Sequence, residues 1–408
     1  MRIAIVGAGI SGLTCAHVLR RRHEITLFEA DRRLGGHTHT VRVDLADETH
    51  HVDTGFIVHN DRNYPSFRRL LAQLGVATQP SAMSFSVSDG AGFEYNGASP
   101  NGVFACRSHL VQPTFHRMLR DLLRFNREAP ALVGRNGSGP SLGTFLEAGG
   151  YSRAFVDRLI VPQASAVWSA DPDAMWELPA SFLAEFFDNH GMFSLRDRPR
   201  WHTIRGGANA YVAAIIKPFA DRIRAGTPIR AIRRDPDGVD LTPERGEPER
   251  FDAVVVATHS DQALAMLADP TDGERELLGA IPYQPNEAVL HTDRRLLPRR
   301  RRAWASWNFH LEDEPAGRTT VTYHMNRLQS LHASAELCVT LNRSDRIDPG
   351  RVIKTIQYAH PVFSRAGVAA QARWPEISRD RTHYCGAYWG FGFHEDGVAS
   401  ALRVCEQL

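Results

Sequence analysis

Arg2-Ile3-Ala4-Ile5-Val6-Gly7-Ala8-Gly9-Ile10-Ser11-Gly12 opens this chain of 408 residues, and its reading decides the fold. The apolar run before Gly7 predicts a buried strand, Ser11 to Arg21 a helix, and Glu24 to Glu29 a second strand. A GxGxxG turn between strand and helix is a dinucleotide signature with a mechanism at each position. Gly7 permits the tight turn, Gly9 lets the backbone approach a pyrophosphate, and Gly12 lets the helix pack closely on the strand. Ala8, Ile10 and Ser11 complete the loop, and the free N–H groups and positive dipole end of the helix attract phosphate. Glu29 closes the second strand where a carboxylate accepts ribose hydroxyls and repels a 2′-phosphate. The expected fold class is α/β with a Rossmann-like dinucleotide-binding domain.

Composition sets the frame around that motif. Apolar residues make up 43% of the chain and charged residues 23%, which is ordinary for a globular protein long enough for two domains. A formal net charge of +2 provides no reason to expect a nucleic acid partner. No stretch approaches the roughly 20 apolar residues needed to span a bilayer, and the apolar N-terminus is a glycine turn rather than a signal peptide, so a cytoplasmic protein is expected. The five cysteines are scattered and never spaced as CxxC, so neither a disulfide framework nor a metal site is expected. Lysine occurs only at Lys217 and Lys354.

Further along, Thr227–Ile232 and Val239–Leu241 read as short strands joined by an Asp-Pro-Asp-Gly turn, followed by the apolar strand Phe251–Ala257. The dinucleotide domain is expected to be discontinuous, built from residues 1–60, 201–261 and 371–408. Residues 61–200 and 262–370 form an α+β substrate domain inserted twice, and both stretches read as helix-rich. Its helices include Tyr64–Leu74 and His109–Asn126, the latter apolar at Leu110, Phe115, Met118, Leu119 and Leu122. Arg135–Pro140 reads as a flexible loop.

Glu29, Ala30, Arg33, Gly35, Gly36, His37 and Thr38 form an ExxxRxGG run that resembles the flavin amine oxidase and phytoene desaturase superfamily. The resemblance implies FAD, with the arginine and paired glycines extending the cradle toward the isoalloxazine. It also implies that Gly55, Phe56 and Ile57 pass beside the flavin ring, that Ile229 covers the adenine, and that Ala257-Thr258 ends a cofactor strand. Arg205-Gly206-Gly207 looks like the return from the substrate domain. Cys385 to Val398 resembles the superfamily's second signature, in which an aromatic glycine loop with Trp389 leads into a helix. There the amides of Glu395, Asp396, Gly397 and Val398 would face the flavin's O2 edge.

Within the superfamily, the runs Thr54–Asn60, Asn189–Pro199, Tyr358–Phe363 and Gly386–Gly397 look most similar to bacterial FAD-dependent fatty-acyl desaturases. Members of that group act with lipid methyltransferases on phospholipid acyl chains, and one makes the diene precursor of furan fatty acids. The resemblance therefore implies a phospholipid acyl substrate and a lipid methyltransferase partner, and a lipid substrate would suit peripheral contact with the inner membrane face. An unactivated chain surrenders hydride to flavin only where the resulting cation is stabilised, as beside a methyl-bearing alkene, and a base must then take a proton to leave a conjugated diene.

His59, His394 and Glu395 are the candidate bases, because flavin motifs flank each of them. Glu395 and Asp396 have a rival reading as helix caps, and Tyr388, Trp389, Phe391 and Phe393 read equally as channel lining or packing. Arg294-Arg295 and Arg299 to Arg302, with Trp304 and Trp307, join basic and aromatic residues as an anionic membrane surface requires, and equally as a solvated loop would. Three rival functions remain: a flavin amine oxidase, a pyranose mutase-like isomerase, and a flavin-bearing accessory subunit. The amine oxidases commonly carry a lysine in the strand that corresponds to Asn286–Leu290, where this chain has none.

Overall fold

A strand of small and branched apolar residues needs cover on both faces, and β1 (Arg2–Val6) has it: Ile3, Ala4 and Ile5 are fully buried. The computed structural model describes residues 1–46, 48–135, 137–194, 198–312 and 317–408. Gly7 turns the chain at φ +103° into α1 (Ile10–Leu19), which returns to β2 (Glu24–Glu29) parallel to β1, with Val6 opposite Phe28. On the other side of β1 lies Ala253–Val256, also parallel, with Val6 opposite Val256. Ile223–Ala225 extends the sheet beyond β2, and Thr382–Tyr384 extends it beyond Ala253–Val256. The five strands thus come from three distant parts of the chain, and the expected Rossmann-like α/β fold is present.

The second layer mixes helices with a seven-stranded sheet. Its helices include α2 (Pro65–Gln73), α3 (Val161–Trp168) and α4 (Ala180–Asn189). The reading of residues 262–370 as helix-rich is corrected: this segment supplies five of the seven strands, including β3 (Tyr283–His291) and β4 (Val352–Pro361), which pair antiparallel from Tyr283–Pro361 to His291–Val352. β3 carries Gln284, Pro285, Asn286 and Glu287 in succession, which masks its period in the sequence. The helix expected from His109 begins at Pro113, where a missing N–H costs nothing in the first turn, and Leu110 before it is exposed. Leu195, Arg196 and Asp197 of the quoted Asn189–Pro199 run, and Asn136 of the expected loop, lie outside the described residues.

The final helix, α5 (His394–Gln407), lies across α1. Contact is close because Gly397 faces it. A Cβ there would come 2.8 Å from Ile10 Cγ2 and 3.0 Å from Ser11 Oγ. The dinucleotide turn and the aromatic loop ahead of α5 are therefore held together by helix packing, not by the sheet alone. Gly397→Val is expected to cost about 1–3 kcal/mol through overpacking, read as a lowered midpoint in chemical denaturation. An unchanged midpoint would show that the two helices tolerate separation.

Candidate cofactor and active site

One cavity of about 1730 Å³ runs from the glycine turn into the substrate domain. At one end it is lined by Gly7, Gly9, Ile10 and Ser11 of the turn, by Glu29 and Ala30 after β2, and by Arg33, Gly35, Gly36 and His37 of the next loop. Gly55, Phe56 and Ile57, then Ile229, Ala257 and Thr258, complete that end, so most of the expected cofactor residues converge on one space.

The glycines account for the shape of this cradle. A Cβ on Gly12 would overlap the Gly7 carbonyl, and one on Gly36, at φ +58°, would sit 3.1 Å from Gly9 Cα. A Cβ on Gly9 would meet nothing within 4 Å and would project into the cleft itself. That open approach to bare backbone, at the end of a ten-residue helix without a side-chain cap or an acid in its first turn, is what a pyrophosphate requires. Glu29 reaches the same turn, its Oε2 accepting the Ala8 N–H at 2.7 Å. The Arg33 guanidinium donates to the Gly36 and Thr38 carbonyls, both at 2.8 Å. Arg33 thereby shapes the paired-glycine loop through its carbonyls.

Several expected site residues lie elsewhere. Glu395 is not in the cleft: its carboxylate accepts the Ser66 and Phe67 N–H groups at 3.0 and 2.9 Å and so caps the first turn of α2. Asp396 accepts the Phe393 N–H at 2.9 Å, and burial pushes its carboxyl up to about 6. Gly397 and Val398 face α1 and the core, so only His394 of this first turn lines the cavity. Trp389 is buried behind Tyr388, and Phe391 packs on Phe182. Ala8, Gly12 and Thr38 support the cradle from behind its surface.

His59 also lies behind the wall, stacked on His202 with ring centroids 5.7 Å apart, and burial holds it down to about 4. Cys385 is buried, its Sγ 3.7 Å from that of Cys15. The His394 ring stacks on Phe56, and its Nε2 lies 3.0 Å from Thr38 Oγ1 and 3.1 Å from Tyr211 Oη.

Tyr358 and His360, which the sequence marked as a weaker candidate patch and more readily as core, gather with His259 and Tyr283, which it did not mark, beside His37. His259 and His360 lie 5.6 and 5.3 Å from His37, Tyr358 stacks on it at 5.0 Å, and Tyr283 stacks on His259 at 4.4 Å. All five line the cavity. Residues 356–361 at the end of β4 all line the cavity. Burial, reinforced by their mutual repulsion, depresses the three imidazoles to about 4 for His37, about 4 for His259 and about 3 for His360.

The basic and aromatic run is partly consumed by the fold. Asp293 pairs with Arg295 at 2.6 Å and Glu94 with Arg300 at 3.1 Å, while the Trp304 indole donates to the Pro298 carbonyl. Trp307 turns inward to the cavity, and Arg294, Arg299, Arg301 and Arg302 stay exposed. No helix among the described residues is long and apolar enough to cross a membrane.

The fold and cradle suit a bound FAD. A family model described as flavin containing amine oxidoreductase matches residues 10–346, and the chain belongs to that family. An L-amino-acid oxidase from Siganus canaliculatus is 24% identical over 309 residues, which span 71% of this chain and 56% of that protein. The chain therefore covers little more than half the length of this relative. Among solved structures, cyclohexylamine oxidase from Brevibacterium oxydans superposes with a TM-score of 0.71 at 17% identity, over 99% of this chain and 98% of that one. A CLA-producing fatty acid isomerase from P. acnes superposes with a TM-score of 0.69 at 15% identity, over 99% and 97%. At such identities these structures speak for the fold alone.

Two outcomes follow from the cradle and its rings. Glu29→Ala is expected to lose bound FAD while keeping its circular dichroism spectrum; full flavin absorbance in the purified variant would refute a cofactor role for this carboxylate. The buried imidazoles are neutral in the fold but titrate near 6.5 once unfolded, so the unfolded chain binds more protons between pH 6.5 and about 4. Thermal stability is expected to fall as pH drops through that window and to fall less steeply in His259→Phe. Equal slopes in the two proteins would contradict this.

Proposed function

We propose that the chain desaturates a methylated, unsaturated acyl chain carried by an anionic lipid. One observation carries the reading: away from the cradle residues the cavity is lined mainly by apolar side chains, Met83, Phe85, Val167, Phe186, Met192 and Trp307, with Ser81, Ser84, Gln163 and His190 among them. The carboxylates lining the cavity, Glu29 and Asp31, belong to the cradle, and no lysine lines it among the described residues. Such walls exclude water and favour a hydrocarbon by about 0.8 kcal/mol for each buried methylene. Arg198 and Arg200 also line the cavity and are exposed, which suits a phosphate or carboxylate held at its mouth.

When bound, FAD supplies a hydride acceptor. The chain's own part is to align the alkyl chain in the slot and to take the one proton that leaves after the hydride. Of the three candidate bases only His394 lines the cavity. Burial, with His37 and His59 nearby, holds its ring neutral and disfavours the imidazolium, so Nδ1 would take the proton only in passing, while the Thr38 and Tyr211 hydroxyls hold Nε2. The exposed Arg294, Arg299, Arg301 and Arg302 would rest on an anionic bilayer, where a lipid methyltransferase could pass on its product.

A second reading, oxidation of an amine or amino acid, is favoured by the L-amino-acid oxidase and cyclohexylamine oxidase similarities. The lysine-free cavity speaks against it. Anaerobic mixing decides between them: methylated unsaturated phospholipid is expected to bleach the flavin, and cyclohexylamine, L-amino acids or a nucleotide sugar with reductant are not. Bleaching by amines alone would sink the lipid reading. His394→Phe is expected to keep FAD and to slow lipid turnover roughly 10²–10⁴-fold. The double variant Arg198→Ser, Arg200→Ser is expected to raise KM for anionic lipid far more than for a neutral acyl ester; equal effects would remove the arginines from substrate recognition.

A further inference from the structure

We infer that His360 presents a fixed Nε2–H donor to an acceptor atom in the cleft, held in that tautomer by Asn286 and Asn342. Backbone groups, whose polarity is not adjustable, fix the orientation of both amides. The Glu287 N–H donates to Asn342 Oδ1 at 2.9 Å, so the amide nitrogen of Asn342 is the end that donates to the Thr319 carbonyl, also at 2.9 Å. The same nitrogen donates to Asn286 Oδ1 at 2.6 Å. Asn286 must then offer its own nitrogen to its remaining partners, the Ser169 carbonyl and His360 Nδ1, both at 2.9 Å, with the Gln284 carbonyl farther off at 3.3 Å. Nδ1 therefore accepts, and the proton of the neutral ring resides on Nε2.

The relay is rigid and dry. Asn286 is fully buried on β3, and Ser169, which ends α3, holds its carbonyl in place at the left-handed φ of +51°. The imidazolium is disfavoured because burial and the neighbouring His37 both oppose its charge. An amide donor also stabilises only the neutral ring, since Nδ1–H would meet the Asn286 NH₂ group head-on. His360 is thus unsuited to act as a base at Nε2 and suited to orient an acceptor, either a ring-edge atom of the flavin or an oxygen or nitrogen of the substrate. Asn286 and Asn342 are positioning residues that act through it. The inference rests on the FAD cleft alone and is independent of the lipid reading.

The test uses the FAD-loaded protein labelled with ¹⁵N-histidine, the His360 signals being identified by their loss in His360→Phe. The expected spectrum shows Nε2 protonated and Nδ1 bare throughout pH 5 to 8. A ring protonated at Nδ1, or one titrating near its ordinary value, would overturn the inference. Asn286→Asp replaces the donor by an acceptor and is expected to move the proton to Nδ1. Where that variant does not fold, Asn342→Asp, which withdraws the donor to Asn286 Oδ1, is expected to give a mixture of tautomers; an unchanged ring in a folded variant would overturn the relay.

The acceptor is located by comparing His360→Phe with His360→Gln, whose amide keeps a donor. A shifted flavin absorption band in the ligand-free Phe variant, partly restored in Gln, assigns the acceptor to the cofactor. An unshifted band with KM raised about 2- to 10-fold assigns it to the substrate. Neither change would leave His360 without an acceptor and overturn the assignment.

Discussion

The close approach of α1 to its surroundings is the constraint on which the rest depends. On one side Gly12 brings the helix against the Gly7 carbonyl, and on the other Gly397 brings α5 against Ile10 and Ser11. A side chain at either point would push α1 away from β1 or from α5. The first displacement would widen the turn that leaves Gly9 bare toward the cleft, and the second would detach the aromatic loop that puts His394 into the cavity. Polar contacts then fix what packing has brought close: Glu29 ties the end of β2 to the Ala8 amide, and Glu395 ties α5 to the start of α2.

What was legible in the amino-acid order follows the same physics. β1 and β2 agree with expectation to the residue, because a Rossmann-type turn makes demands on backbone that only glycine meets and those demands are written at fixed spacing. The seven-stranded sheet was hidden, since β3 carries polar side chains that find partners inside the protein: Asn286 is fully buried yet satisfied by Ser169, Asn342 and His360. Glu395 shows the other limit. Its nearness to a flavin signature invited a catalytic role, while the amides it serves lie at Ser66 and Phe67, more than three hundred residues earlier. Side chains that cap a distant helix leave no periodic trace.

The walls of the cavity also explain each other electrically. A largely apolar cavity tolerates buried polar groups more readily while they remain uncharged. The rings beside His37 satisfy that condition, for burial and mutual repulsion keep all three imidazoles neutral. Hydrogen-bonding direction is then supplied without the solvation demand of an ion, and charge is confined to the cradle and to Arg198 and Arg200.

The parallel sheet takes strands from residues 2–29, 223–256 and 382–384, so its order cannot be completed until residue 384 has been synthesised. Pairings of such long sequence separation are slow to nucleate and expose apolar edges in the meantime. Ile3, Ala4 and Ile5 of β1 thus lack their neighbour on one side until residues 253–256 pair with them, and the cradle lacks the helix that packs on α1 until residues 394–407 are in place.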